Sequence, residues 1–253
     1  NLPGTLNYAP GAAVELEKRI VAAGMADKPL TIVSIGSSTN ITEAIASARL
    51  KEDNNYYSAF KQGVKMVYKG GGAVGQAKGN QLSNSEIPGN LNIPGLYETD
   101  NKTAEWNIYA NAAATEVLFT SQLPVTLITV NLSDQVRITE ASYDALVKSA
   151  ATESAKFVAS DIISNIDSQG GWKQAELDYW DPSVAVAAIH PEFVTSRYDD
   201  VEACVQTNGS NTHGTTYVEP MCATINESGC SISVFTGIDV NKFYIEFIGT
   251  LNQ

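Results

Sequence analysis

The sequence predicts an α/β fold: a Rossmann-like, largely parallel sheet flanked by helices. Three observations carry this. Short apolar runs at residues 31–36, 64–68 and 125–130 read as buried strands. Segments with helical apolar spacing fall between them, and strands alternating with helices favour a parallel sheet. The stretches after those strands are rich in Gly, Ser, Asn and Asp, and ligands of open α/β sheets sit beyond such strand ends.

Taken in order, residues 1–10 read as coil. Ala13, Val14, Leu16, Ile20 and Val21 give residues 11–24 a helical face. Thr31-Ile32-Val33-Ser34-Ile35-Gly36 is a strand ending in glycine, and residues 40–50 return to helical spacing. Val64-Lys65-Met66-Val67-Tyr68 runs as a strand into Gly70-Gly71-Gly72. Residues 73–103 look irregular, and a loop of that length in a compact domain points to function or disorder. Residues 105–121 look helical, 125–130 form the clearest strand, and 141–166 read as one long amphipathic helix. A short apolar helix covers 181–190. Short strands with Asn-Gly and Ser-Gly turn signals cover 201–235, and a closing helix covers 239–251. Nothing reads as a linker, so residues 1–253 are expected to form a single domain.

Composition narrows the classes. The chain is 43% hydrophobic and 17% charged, as ordinary globular proteins are. Its net charge of −12 argues against a nucleic-acid partner, which needs a basic face. The apolar runs are too short to cross a bilayer. Cys204, Cys222 and Cys230 are an odd set, which leaves one thiol without an internal partner. Sequons stand at Asn40, Asn101, Asn131, Asn208 and Asn226. With the clustered cysteines they point to an oxidising, secretory compartment and a glycoprotein.

Two distant segments place a carboxylate beside a tryptophan: Ala104-Glu105-Trp106-Asn107-Ile108-Tyr109 and Tyr179-Trp180-Asp181-Pro182. Singly, each residue has an ordinary reading. Asp181 before a proline suits a helix N-cap, and Glu105 suits a first helical turn. Trp106 and Trp180 suit a core or an interface. No phosphate-binding glycine motif occurs. His190, before Pro191, suits a helix C-cap, and His213 suits a solvated loop.

Order and company change these readings. Along the chain come Ile35-Gly36-Ser37-Ser38-Thr39-Asn40, Lys69-Gly70-Gly71-Gly72, Gly89-Asn90, Glu105-Trp106-Asn107, Leu123-Pro124-Val125, Trp180-Asp181-Pro182 and the closing segment from Gly237 to Phe243. This succession resembles the inosine-uridine preferring nucleoside hydrolase family, and within it the purine-preferring, tryptophan-containing branch. The resemblance implies hydrolysis of the N-glycosidic bond of purine ribonucleosides through an oxocarbenium-like transition state. It implies that Asn90, Glu105, Trp106 and Asn107 contact the substrate, with Asn107 and Trp180 serving catalysis and Trp180 stacking on the leaving base. It also implies a Ca²⁺ held by the Asp181 carboxylate and the Ile35 carbonyl. The family tends to form oligomers, so a homo-oligomer is expected.

One departure matters. The family's Asp-x-Asp-x-Gly-x-Asp-Asp motif, which supplies the base and most metal ligands, does not occur in these residues; Asp178 and Asp199-Asp200 do not fit it. One aspartate and one carbonyl fall short of the roughly six to eight oxygens that calcium takes. Ca²⁺ and catalysis are therefore expected only if another segment or a second polypeptide supplies that motif. The alternative is a non-catalytic extracellular binding or assembly protein on the same scaffold.

Overall fold

The computed structural model describes residues 10–51, 53–78, 81–91, 100–173, 175, 177–209, 211–219, 221–225 and 229–253. Most of the expected N-terminal coil and the Asn226 sequon lie outside them. The chain divides into two compact units, Asn1–Leu127 with Tyr198–Val234, and Ile128–Arg197 with Phe235–Gln253.

The first unit opens with α1 (Pro10–Met25), β1 (Leu30–Ser34), α2 (Thr39–Leu50), α3 (Asn54–Gln62) and β2 (Val64–Gly70). Helix α3 is not among the expected elements, although Tyr56, Ala59 and Phe60 give it an apolar face at helical spacing. Its signal is Asp53, whose carboxylate accepts the N–H groups of Asn55 and Tyr56 at 2.9 and 3.3 Å. The irregular region holds a small antiparallel hairpin, β3 (Gly75–Lys78) and β4 (Gln81–Ser83). The helix expected over 105–121 is two, α4 (Trp106–Ala110) and α5 (Ala112–Phe119). They part at Asn111, whose non-helical backbone (φ −155°, ψ 80°) lets its side chain cap Ala114 N–H at 3.1 Å. Ile20, Ile45, Phe60, Val67, Leu118, Leu127, Val205 and Val234 form the fully buried heart of this unit.

Strand β5 (Val125–Ile128) leads into α6 (Val130–Ser133), α7 (Glu140–Ser149), α8 (Glu153–Ser168) and α9 (Trp180–Ile189). The single helix expected over 141–166 is thus α7 and α8. Ala150 leaves the helical region (φ −62°, ψ 91°), and Thr152 caps α8 by accepting Ala155 N–H at 3.1 Å. A short 3₁₀ turn, Pro191–Phe193, precedes β6 (Val194–Val205), which starts earlier than the sequence suggests. Then come β7 (Thr216–Val218), α10 (Met221–Thr224), β8 (Cys230–Ile238) and α11 (Val240–Leu251), the last capped by Asp239. In the second unit Tyr179, Phe243, Tyr244 and Phe247 cluster, Phe243 stacked on Phe247 and Tyr179 tilted against Phe247 at 4.8 Å between centroids. Burial in that cluster pushes the Tyr179 hydroxyl up to about 12, so it stays neutral.

Among the described residues the main sheet has six strands in the order β1-β2-β5-β8-β6-β7. β1 and β2 pair in parallel, Ile32 opposite Val67 and Ser34 opposite Lys69. β6 and β7 are antiparallel, so the sheet is mixed. Among the described residues β1 forms an edge, and Val33 within it is 40% exposed. No described helix is long and apolar enough to cross a membrane.

Cys204 and Cys222 form a disulfide and Cys230 is free. Among the sequons, Asn40 and Asn208 are exposed and Asn131 is half-buried. Asn101 is fully buried: its amide donates to His213 O at 2.8 Å and accepts from Ala104 N at 3.0 Å. In the folded chain that residue is a structural clamp with its amide turned away from solvent.

Candidate active site

Within the first unit, the loop after β1, the glycine turn after β2 and the start of α4 meet. Glu105 organises the meeting. It is the N-cap of α4 rather than a first-turn residue, and it is 3% exposed. Its Oε1 accepts Asn107 N–H at 2.9 Å; its Oε2 accepts Ile108 N–H at 3.1 Å and Gly72 N–H at 2.9 Å. An N-cap carboxylate satisfies helix-end donors and faces the positive end of the helix dipole.

Gly71 and Gly72 are required there. Both have positive φ, +140° and +74°. A β-carbon on Gly71 would lie 2.6 Å from Glu105 Oε2 and 3.0 Å from Lys69 Nζ. The turn therefore carries glycines because the cap and the lysine approach its backbone this closely.

Asn107 reaches across the same corner. Its Nδ2 donates to Ile35 O at 3.2 Å and lies 3.4 Å from Gly70 O. Asn90 Oδ1 accepts Trp106 N–H at 2.8 Å, which fixes the segment before α4 to that helix. Trp106 itself is 44% exposed. The loop after β1 is held from below: Ser38 Oγ pairs with Thr115 Oγ1 at 3.1 Å, and Thr39 Oγ1 accepts from Asn111 Nδ2 at 2.9 Å. Ile35, Asn90, Glu105, Trp106 and Asn107 are thus gathered in one unit by short polar contacts. His213, expected to be solvated, is half-buried and lies edge-on to Tyr109 at 5.4 Å.

In the second unit, Trp180 and Asp181 open α9. The N-cap is Tyr179, so Asp181 sits in the first turn and does not cap. Trp180 is 41% exposed, and its indole N–H donates to Asp134 Oδ1 at 2.9 Å. Asp134 stays accessible as a residue, yet crowding around its carboxyl raises its pKa, against smaller lowering effects of the Trp180 hydrogen bond and Arg137. His190 ends α9 as expected, its backbone N–H bonded to Val186 O at 2.7 Å.

Lys69, in the glycine motif, and Asp134, which follows the third expected strand where ligands of such sheets bind, are named by the sequence without a role. Lys69 is wholly buried and donates from Nζ to Gly36 O at 2.9 Å and to Gly70 O. Its signal in the sequence is a charged residue closing an apolar strand beside a glycine turn.

The first unit does not fit the calcium that the sequence resemblance implies. The Ile35 carbonyl already accepts an amide, and the next carbonyl, that of Gly36, accepts the Lys69 ammonium. A divalent cation on this loop would share it with a fixed positive charge. No group of three or more His, Cys, Asp or Glu among the described residues could hold a metal.

Several solved structures share the fold. A purine-preferring ribonucleoside hydrolase from Gardnerella vaginalis is 23% identical with a TM-score of 0.68, over 95% of this chain and 65% of that one. A plant nucleoside hydrolase is 19% identical with a TM-score of 0.70, over 95% and 66%. The inosine-uridine preferring nucleoside hydrolase from Bacillus anthracis is 16% identical with a TM-score of 0.66, over 95% and 65%. This chain therefore spans just under two thirds of the length of these structures. Comparison with curated protein sequences gives no match. The model of one family, inosine-uridine preferring nucleoside hydrolase, matches residues 3–245, and with that match across nearly its whole length the chain belongs to this family.

Proposed function

We propose that this chain carries the sugar-binding part of a nucleoside hydrolase that cleaves the N-glycosidic bond of purine ribonucleosides. The observation that carries the reading is the family match over residues 3–245. The corner formed by Asn90, Trp106 and Asn107 supports it, since polar groups held on short hydrogen bonds beside an exposed aromatic ring suit a polyhydroxylated ring. In this reading Asn90 and Asn107 bind ribose hydroxyls. Glu105, held by three backbone donors, orients Asn107, and its Oε1, which accepts only one of them, keeps a lone pair for the sugar. Contacts that tighten as the ribosyl group gains positive charge lower the barrier.

The purine preference rests on Trp180. A half-exposed indole fixed through its N–H offers a flat face to a leaving base. The base that activates water, and any calcium, would come with an Asp-rich segment, on another part of the protein or on a second polypeptide. The open edge of β1 and exposed Val33 and Ile35 support such a segment. The Cys204–Cys222 disulfide supports a secreted protein, with Asn40 and Asn208 as glycan acceptors. A homo-oligomer is proposed on family resemblance alone.

The test has two steps. Intact mass and N-terminal sequencing of native material look for a co-isolated Asp-rich fragment. Release of ribose from inosine and from uridine is then measured on that material, with and without a calcium chelator. Turnover favouring inosine is expected; a co-isolated fragment with no turnover of either nucleoside refutes the reading.

A further inference from the structure

An ammonium buried in a protein is costly unless oxygens surround it. Lys69 is 0% exposed at the end of β2, and its Nζ is met by Gly36 O at 2.9 Å and by Gly70 O. Those carbonyls belong to the loop after β1 and the turn after β2, the two segments that Asn107 also bridges. The same ammonium and Glu105 Oε2 lie against one glycine, at 3.0 and 2.6 Å from where a Gly71 β-carbon would stand. A positive charge, two backbone carbonyls and a buried carboxylate thus share one corner, an arrangement that metal sites otherwise produce with a divalent ion.

We propose that the Lys69 ammonium is the built-in cation of this corner. It draws the carbonyls of Gly36 and Gly70 together, balances Glu105, and keeps divalent metal off the Ile35–Gly36 loop. The site loops of the first unit therefore hold their geometry without calcium. Lys69 is buried away from substrate, so it is a positioning residue acting through Asn107 and the glycine turn. The inference deepens the nucleoside reading only in that these are the loops read as meeting the sugar; its test measures the loops themselves and uses no turnover.

The experiment uses the full chain labelled with ¹⁵N. In the wild type, millimolar calcium is expected to leave the amide resonances of Gly36, Gly70 and Gly72 and the Asn107 side-chain amide unmoved. Calcium-dependent shifts at Gly36 or Gly70 overturn the proposal, and this arm needs no variant. Lys69→Met keeps the length and removes the charge. It is expected to lower Tm by about 5–10 °C, given the worth of charge-assisted hydrogen bonds in a chain of this size, and to move the Gly72 and Asn107 signals. A Lys69→Met chain with wild-type Tm and unmoved signals overturns it. Lys69→Ala opens space for ethylammonium, which is expected to restore the Gly72 and Asn107 signals where sodium at equal ionic strength does not; equal effects of the two ions overturn it.

Discussion

Glu105 Oε2 accepts the N–H of Gly72 at 2.9 Å across 33 residues of sequence, and so ties the turn after β2 to the first turn of α4. With Asn107 and Ile108 N–H on the same carboxylate, three backbone donors depend on one buried side chain. Glu105→Gln replaces one acceptor oxygen with an NH₂ that faces a donor. A buried N–H left without a partner costs about 1–3 kcal/mol. The urea midpoint is therefore expected to fall with the slope unchanged. A Glu105→Gln chain that unfolds at the wild-type midpoint removes Glu105 as the organiser of this corner.

Two glycines in the same region should answer oppositely to alanine. Gly71 has φ +140°, and its β-carbon would press on Glu105 Oε2 at 2.6 Å, whereas a β-carbon on Gly36 would meet nothing within 4 Å. Gly71→Ala is expected to cost more than about 2 kcal/mol, because backbone strain and displacement of the cap add. Gly36→Ala is expected within about 0.5 kcal/mol of wild type. Equal effects at the two positions in thermal unfolding would show that the cap and lysine do not crowd the turn.

The sequence displayed the strands and the outer helices because burial writes apolar periodicity directly. β1, β2, β5, α1, α2 and α11 lie close to the expected spans, and α9 does so as a continuous apolar run. It hid the places where a side chain bonds to backbone against the periodicity. Asn111 and Thr152 interrupt helices whose apolar spacing continues across them, and Asp53 caps a helix of only nine residues whose apolar face rests on Tyr56, Ala59 and Phe60. The candidate site was legible as ordered short segments, which assigned Glu105 and Asn107 a corner without saying what held it. Lys69 is legible only as the first residue of the glycine motif, because spacing does not show that its ammonium is buried. Asn101 read as a sequon, since three letters carry no information about burial.

The Asp134–Trp180 pair should titrate visibly. Burial raises the Asp134 pKa above its ordinary value of 3.8. The folded value exceeds the unfolded one, so this group favours the fold fully below the ordinary aspartate range. That contribution is lost as pH rises through the raised value. The Trp180 indole N–H resonance, assigned by its loss in Trp180→Phe, is expected to shift with a midpoint above that ordinary value. In Asp134→Asn the shift should vanish. A midpoint at or below the ordinary value would mean that the hydrogen bond and Arg137 outweigh burial.

The cysteines offer a check that separates covalent from packing effects. Cys204 on β6 and Cys222 on α10 close a loop of 18 residues, and a cross-link of that span is worth about 3 kcal/mol in chain entropy. Cys204→Ser with Cys222→Ser is therefore expected to lower stability by about that amount, and denatured wild type without reductant should show one thiol per chain. That thiol is Cys230, whose pKa is raised first by burial and then by the charges of Glu116 and Glu202. Alkylation of the native chain should be slow at neutral pH and should accelerate only above the usual thiol range of about 8.5. Glu202→Gln removes one of the two opposing charges, so its alkylation should rise at lower pH than in wild type. A native thiol that reacts as fast as free cysteine would mean that neither burial nor the paired carboxylates shield the start of β8, and that its reactivity is set by solvent alone.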